Sequence, residues 1–467
     1  MESKTYDIII IGGGSAGLGA IGMAQSLGWK PLLIDKKEEH IGGDCLNFGC
    51  VPSKAIIHLS KYFHGAKQAE KYGMAKAGKA DMKKILAYVH EKQEVIRAHE
   101  SADYFRSQGI DIEIGTAQFV NKNTVAVGDK HFTAERILIA TGSKPRYLAI
   151  KGIEQVQWFN NETLFYDLTT LPERLLIIGG GAIGCEMGQS FQRFGSQVTI
   201  LNRGDRIISA EREETSATLA AVFKKEGVKI INNSTVVEFK DSQTAVIEHK
   251  EKGQSELQFD AVLMAAGRVL NYSDLNIEAA GIETTERGKL VINDYLQTTN
   301  EHVYVAGDAA GLYKFSHGAE KHIKLLTHNF TSSFKRKHDP SDLSWVTFTE
   351  PEVASFGYTE QELKEKGIAY WRQDQGFHDD DRAIVGEYQY GKITLFVTPK
   401  SIWKTKRTIL GGCIISPNAG ELMQELQLAA KAGIAIEEIY DKLYAYPTAS
   451  RINQQAIKGI VDYKEEA

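Results

Sequence analysis

Two stretches of this chain repeat one pattern, and few folds accommodate both. "YDIIIIGGGSAGLGAIGMAQSLGWKPLLIDKK" begins at residue 6, and "LLIIGGGAIGCEMGQSFQRFGSQVTILN" begins at residue 175. In each, an apolar run (Ile8 to Ile11, then Leu175 to Ile178) meets a glycine cluster, a helical pattern follows, and a second apolar run ends the unit. An unbroken apolar run suits a strand buried on both faces of a parallel sheet. Glycines at the first, third and sixth positions of a strand-to-helix turn let a phosphate group approach the backbone. Gly12, Gly14 and Gly17 supply the first set, and Gly179, Gly181 and Gly184 the second. Asp35 closes the second strand of the first unit, where a carboxylate can bind a ribose hydroxyl. The expectation is an α/β chain with two dinucleotide folds. The alternative is a repeated structural unit with one site empty.

At 467 residues there is room for about three domains of roughly 150 residues each. The net charge of −5 gives no reason to expect nucleic acid, and the basic run 334–338 reads as a solvated connector. No apolar stretch reaches the roughly 18 residues that a bilayer span needs. The start "MESKTYDIIII" carries an acid and runs into a strand, unlike a signal peptide. Four cysteines do not make a secreted disulfide scaffold, so a cytoplasmic setting is expected. Further on, "RILIATGSKPR" (136–146) reads as a strand and turn. "VYVAGDAAG" (303–311) sets Asp308 at the carboxyl end of a parallel strand, where open α/β sheets bind ligands. After Pro340 the pattern shifts to shorter strands and amphipathic helices, a separate α+β domain.

Half of the cysteines lie in "GGDCLNFGCVPSKA" (42–55). Residues five apart in a regular helix have Cα atoms about 8–9 Å from one another, whereas a disulfide needs roughly 4.4–6.8 Å. Cys45 and Cys50 can bond only across a distorted backbone, which Gly49 permits. Pro52 is tolerated in the first turn of a helix, so Cys50 is expected near a helix N-terminus, whose positive end favours a thiolate. Lys54, four residues on, adds a cation to that face. Zinc would want CxxC-type spacing and two further ligands, while Cys185 and Cys413 lie far off in sequence and read as core residues. No metal site is expected. The pair reads as redox-active, with two unrelated buried thiols as the alternative.

With "ATGS" at 140–143, "AGRVLN" at 266–271 and "VAGDAAG" at 305–311, the chain resembles the pyridine nucleotide–disulfide oxidoreductases nearly from end to end. That family includes dihydrolipoamide dehydrogenase, glutathione reductase and mercuric reductase. The Asp44 of "GGDC" and the tyrosine of "YPT" (446–448) lean towards the mercuric-reductase-like branch. The resemblance implies an FAD-binding domain over 1–149 and 267–340, an NAD(P)-binding domain over 150–266, and an interface domain over 341–467 that makes a homodimer. It implies that Gly12, Gly14, Gly17 and Asp35 hold the FAD pyrophosphate and ribose, and Asp308 the ribityl–phosphate region. Gly43, Lys54, Thr141, Gly142 and Arg268, in the matched motifs, join that cofactor-binding set. The Cys45–Cys50 disulfide is the redox centre, with Cys50 facing the flavin and Cys45 exchanging with substrate. Lys54 pairs with Glu186, which explains a Glu in the apolar start of a helix. Gly179, Gly181 and Gly184 serve the nicotinamide dinucleotide. Its adenosine ribose meets Asn202 and Arg203, with Arg206 close by, where many NAD enzymes carry an acid. Cations there suit a 2′-phosphate, so NADPH is expected over NADH.

One motif departs from the family. Its disulfide reductases end in His-Pro-Thr with a Glu five residues after the His; here Tyr446 and Arg451 stand in those places. A phenol with pKa about 10 is a poor base at pH 7. Mercuric reductases carry a tyrosine here but also a C-terminal cysteine pair, which "GIVDYKEEA" lacks. The resulting expectation is an FAD- and NAD(P)H-dependent enzyme passing electrons through Cys45–Cys50 to an unidentified small acceptor. Tyr446, across the dimer from Cys45, would help frame the acceptor pocket with Tyr444. The alternatives are a dihydrolipoamide dehydrogenase subunit of a 2-oxoacid dehydrogenase complex, or a redox-responsive flavoprotein without turnover. The acidic run 378–383 reads as a solvated loop, with a part in shaping the acceptor pocket or the dimer seam as the alternative.

Overall fold

The structure, a computed structural model, describes residues 4–74, 76, 78–400 and 406–461. β1 (Lys4–Ile11) is buried along its Ile8–Ile11 run. It lies parallel between two neighbours, with α1 (Ser15–Ser26) packed alongside. The neighbours are β2 (Pro31–Asp35) and, after β3 (Asp111–Ile114), β4 (Ala117–Asn121) and β5 (Thr124–Val127), the long β6 (Lys130–Ile139). The sheet order is β3-β2-β1-β6-β5-β4, and the later strand Val303–Val305 returns to pair in parallel with β6.

The second dinucleotide pattern builds a five-stranded parallel sheet. Its order is Lys229–Ile231, Gln197–Leu201, Arg174–Ile178, Ala261–Met264, Trp158–Phe159. The two glycine turns are geometric counterparts. Gly12 has φ +110° and Gly179 φ +121°, and a Cβ would lie 2.5 Å from the Ala140 carbonyl oxygen in the first case and 2.3 Å from that of Ala265 in the second. A Cβ at Gly17 would sit 1.9 Å from the Gly12 carbonyl oxygen, and one at Gly184 2.0 Å from that of Gly179. Both turns close so tightly on their own helices that only hydrogen fits.

The described chain divides into two compact units: residues up to 204 with 227–338, and 205–226 with those from 339 onward. The first holds both dinucleotide folds. The second is built on an antiparallel sheet ordered Ser344–Thr347, Glu352–Gly357, Ile409–Ser416, Lys392–Val397, Trp371–Gly376. Leu422, Met423, Leu426 and Ala429 of the helix Ala419–Ala432 and Ile452, Ala456, Ile457 and Ile460 of the helix Arg451–Val461 recur at helical spacing and close its core.

The acidic run 378–383 is not a solvated loop throughout: His378, Asp379, Asp381 and Arg382 are exposed, but the run enters a helix and buries one acid. Asp380 is 6% exposed. Its carboxylate accepts from the Ala383 N–H at 2.9 Å, capping the helix Asp381–Val385, and from Gln455 Nε2 at 3.3 Å. Three consecutive acids look like solvent-facing charge, but the middle one is an N-cap. Among the described residues no helix is long and apolar enough to cross a membrane.

Candidate active site

Cys45 lies in α2 (Gly43–Asn47), and Cys50 is the first residue of α3 (Cys50–Ala69). Phe48 and Gly49 break the two helices apart, so the sulfurs escape the separation of a single helix. The Gly49 backbone passes so close to Asp44 that a Cβ would sit 2.9 Å from both its carbonyl oxygen and Oδ2. Pro52 is buried in the first turn of α3. Both cysteines are free thiols in this structure, Cys45 half-buried and Cys50 exposed, with their sulfurs in hydrogen-bonding range. The Cys45 thiol, followed by the Ser316 hydroxyl and the Lys54 ammonium, holds Cys50 down to about 6 against burial. The same bond, burial and the charge on Cys50 push Cys45 far above the ordinary thiol range. The pair therefore keeps one proton on Cys45 and one negative charge on Cys50 near neutral pH.

Lys54 Nζ stands 3.0 Å from Glu186 Oε2, and the Glu186 side chain is only 5% exposed. Glu186 belongs to the helix Ala182–Phe194, which packs along α3. The loop carrying the thiols is clamped from outside. Asp44 Oδ1 accepts from Asn161 Nδ2 at 3.0 Å and pairs with Arg268 at 3.1 Å. Asn161 Nδ2 also reaches the Phe48 carbonyl at 3.2 Å. Arg268 donates to the Ser143 hydroxyl and carbonyl, both at 2.7 Å. Ser143 Oγ in turn donates to Asp308 Oδ2 at 2.5 Å. Burial holds the Asp308 carboxyl above the usual range, opposed by Ser143 and the Arg268 charge.

The first glycine turn adjoins this network. A Cβ at Gly43 would lie 2.3 Å from Gly14 Cα, and the Gly13 N–H donates to Asp35 Oδ2 at 2.6 Å. Gly142, at φ +68°, borders open space, and the Thr141 hydroxyl is buried with no hydrogen-bond partner among the described residues. At the second turn a Cβ at Gly181 would likewise meet nothing within 4 Å. Asn202 follows the strand Gln197–Leu201, its amide donating to the Gly204 carbonyl at 3.1 Å and Asn232 Oδ1 at 3.2 Å. Arg203 is exposed. Arg206 pairs with Asp205 at 3.2 Å.

In the second unit, Tyr446 is 66% exposed. Its hydroxyl donates to Asp381 Oδ2 at 2.7 Å and the Arg451 guanidinium lies 5.2 Å from its ring centre. The Asp381 bond holds the phenol above its ordinary value. Tyr444 donates to Glu425 Oε2 at 2.8 Å, so it too is anchored to a carboxylate. Cys413 is buried in the strand Ile409–Ser416, and burial pushes its thiol up to about 12. Cys185 is buried in the first turn of its helix. Among the described residues no group of three or more His, Cys, Asp or Glu side chains is poised to hold a metal ion.

Sequence reasoning missed Ser316, Asn161 and Ser143. Each is an ordinary polar residue whose neighbours lie more than a hundred positions away. Ser316, ahead of an apolar helical run just past "VAGDAAG", carried a faint helix-start signal and nothing more.

Two dinucleotide turns and a charged dithiol beside one of them define a redox protein that moves electrons between a nucleotide cofactor and sulfur. The chain belongs to the pyridine nucleotide-disulphide oxidoreductase family, whose model matches residues 6–328, while the family's dimerisation-domain model matches residues 343–457. It is 32% identical over 451 residues to a mercuric reductase of Lysinibacillus sphaericus, covering 96% of this chain and 81% of that one. It is 30% identical to a dihydrolipoyl dehydrogenase of Mycoplasma genitalium, covering 98% and 99%. A Cu(II) complex of the HOCl-induced flavoprotein disulfide reductase RclA from Escherichia coli superposes with TM-score 0.83 at 25% identity, covering 98% of this chain and 100% of that one. The protein is accordingly an FAD-dependent oxidoreductase acting on sulfur groups, with FAD and a nicotinamide nucleotide as its cofactors. The cradle fits this assignment: tight glycine turns, Asp35 at the first of them, and an unpartnered buried hydroxyl at Thr141.

Proposed function

We propose that the chain is an NADPH-dependent flavoenzyme that empties the Cys45–Cys50 dithiol into an oxidised, sulfur-seeking metal ion rather than a disulfide substrate. The observation that carries this reading is Tyr446. Where dithiol-exchanging relatives place a basic His oriented by a Glu, this chain has a phenol donating to Asp381 beneath an Arg451 guanidinium. A phenol held above its ordinary pKa by a carboxylate does not deprotonate an incoming dithiol. A metal ion brings no proton to remove. The names of the relatives support the same class: a mercuric reductase and a reductase crystallised with Cu(II).

The step balances as follows: Cys45–SH, Cys50–S⁻ and two M²⁺ give the Cys45–Cys50 disulfide, two M⁺ and one proton. A hydride equivalent from NADPH regenerates Cys45–SH and Cys50–S⁻. Bound FAD supplies the two-electron connection between nicotinamide and disulfide. Gly12, Gly14, Gly17, Asp35, Gly43, Thr141, Gly142, Arg268 and Asp308 would hold it, with Lys54 and Glu186 at its reactive end. Gly179, Gly181 and Gly184 would cradle the nicotinamide dinucleotide, and the exposed Arg203 beside Asn202 would meet a 2′-phosphate. The dimerisation-domain match supports a homodimer, in which Tyr446 of one copy would face the thiols of the other.

The decisive assay follows NADPH oxidation by the holoenzyme with Cu(II), a quinone, glutathione disulfide and lipoamide as acceptors. Cu(II) should turn over at least tenfold faster than either disulfide and depend on both Cys45 and Cys50. Efficient lipoamide turnover would instead favour the dehydrogenase-subunit reading, which the similarity to dihydrolipoyl dehydrogenases supports. Comparing kcat/KM for NADPH and NADH tests the coenzyme assignment, and a tenfold NADH preference would overturn it.

A further inference from the structure

We infer that Ser316 is a catalytic residue of the dithiol: its hydroxyl donates to the Cys50 sulfur and stabilises the negative charge there. The inference rests on the reading of Cys45–Cys50 as the redox pair and adds the group that polarises it.

Ser316 Oγ lies 3.6 Å from Cys50 Sγ across 266 positions of sequence, within range for a sulfur acceptor. It is the first residue of the helix Ser316–Thr331. That helix starts just beyond the Gly307–Ala310 turn that carries Asp308. Two helix N-termini thus meet at one sulfur, since Cys50 itself opens α3. A hydroxyl can rotate to donate to either sulfur. The charged groups around Cys50 pull in opposite directions: Lys54 favours its thiolate and Asp44 opposes it. Glu186 holds Lys54 from behind, and Glu100 disfavours charge on Cys45. Ser316 adds a neutral donor that brings no countercharge; it favours a thiolate at Cys45 as well as at Cys50, and its 3.6 Å contact is to the Cys50 sulfur.

The redox consequence follows from the balance. The disulfide takes up two electrons and one proton to give Cys45–SH and Cys50–S⁻, while Ser316 keeps its own proton throughout. The disulfide carries no charge, so the hydroxyl bond is stronger in the reduced state and holds the pair reduced. Hydrogen bonds to charged acceptors exceed those to neutral ones. Losing this one should raise the Cys50 titration by about one unit, about a tenfold change in thiolate stability. That is about 30 mV for a two-electron couple. The effect has a pH signature. The bond meets a thiolate only above the Cys50 titration, near 6, so the gap should be full at pH 8 and close at pH 5.

The test compares wild-type holoenzyme with Ser316→Ala and Ser316→Thr. Each is equilibrated in dithiothreitol redox buffers at pH 5 and pH 8, then quenched by alkylation with the modified cysteines mapped by mass spectrometry. The pH dependence of Cys50 alkylation is measured in parallel. We expect Ser316→Ala to shift the alkylation midpoint up by about one unit and to make the couple about 30 mV more negative at pH 8 only. Ser316→Thr should behave as wild type. Equal midpoints and potentials, or a gap unchanged at pH 5, would sink the role of Ser316. If wild-type Cys45 and Cys50 fail to interconvert reversibly, the redox-pair reading falls first, and this one with it.

Discussion

The reactive character of this chain comes from charges that cannot all be satisfied at once. Cys45 and Cys50 share one proton, and Lys54 divides its positive charge between the Cys50 thiolate and the buried Glu186 carboxylate. Replacing Lys54 by Met removes the ammonium that stands 3.0 Å from the buried Glu186 carboxylate, and losing one partner of a buried ion pair is costly. Because the Lys54 side chain is itself 37% exposed, water softens the loss. The expected cost is about 1–3 kcal/mol in denaturant unfolding, with Glu186→Gln costing less. The reverse order would mean that the pair does not anchor the two helices. Removing the Cys45 donor by Cys45→Ala should raise the Cys50 alkylation midpoint above about 6, since that hydrogen bond is the largest contributor to lowering it. An unchanged midpoint would reassign the control to Lys54 and Ser316. The cysteines and Lys54 stand out from composition and spacing alone. The Ser316 hydroxyl does not, because serine is common and its partner is 266 positions away.

Between elements, the thiol loop depends on a clamp. Asp44 is bound by Asn161 and Arg268, and Asn161 also takes the Phe48 carbonyl. Asn161→Ala removes both amide bonds at once and should loosen the break between α2 and α3. We expect faster hydrogen exchange at residues 44–49 and slower disulfide re-formation, with the glycine turn at 12–17 unaffected; unchanged exchange would show that Arg268 alone suffices. A second buried acid behaves differently. Glu211, 7% exposed, accepts from Trp345 Nε1 at 2.5 Å and Ser355 Oγ at 2.7 Å, and burial raises its carboxyl above the ordinary value. The native state therefore holds a proton that the unfolded chain releases above about pH 4.3, so this residue's contribution falls as pH rises. Glu211→Gln should accordingly gain thermal stability relative to wild type as pH rises above about 4.3. A gap independent of pH would show that Glu211 stays ionised. Nothing in "ISAEREE" distinguishes Glu211 from the solvated acids beside it, because burial comes from strands more than a hundred residues later.

For the complete chain, the match to a dimerisation domain over residues 343–457 leads us to expect twice the 51.8 kDa chain mass by light scattering at micromolar concentration. A monomer that still reduces an acceptor would remove any part for Tyr446. The two dinucleotide folds are legible because their information is local: an apolar run, a turn that admits only hydrogen at Gly12 and Gly17, and a helix lie within thirty residues. The same holds for the thiol motif, where Gly49 and Pro52 mark the backbone break and the helix start. Other features were set by chain segments meeting from afar. Tertiary packing brought Arg268 and Asn161 onto the thiol loop, made Asp380 a buried cap in what looked like solvent-facing charge, and tied the Tyr446 hydroxyl to Asp381. Local sequence specifies backbone turns and periodicity, whereas burial and hydrogen-bond partners belong to pairs of segments, and only the folded chain selects those pairs.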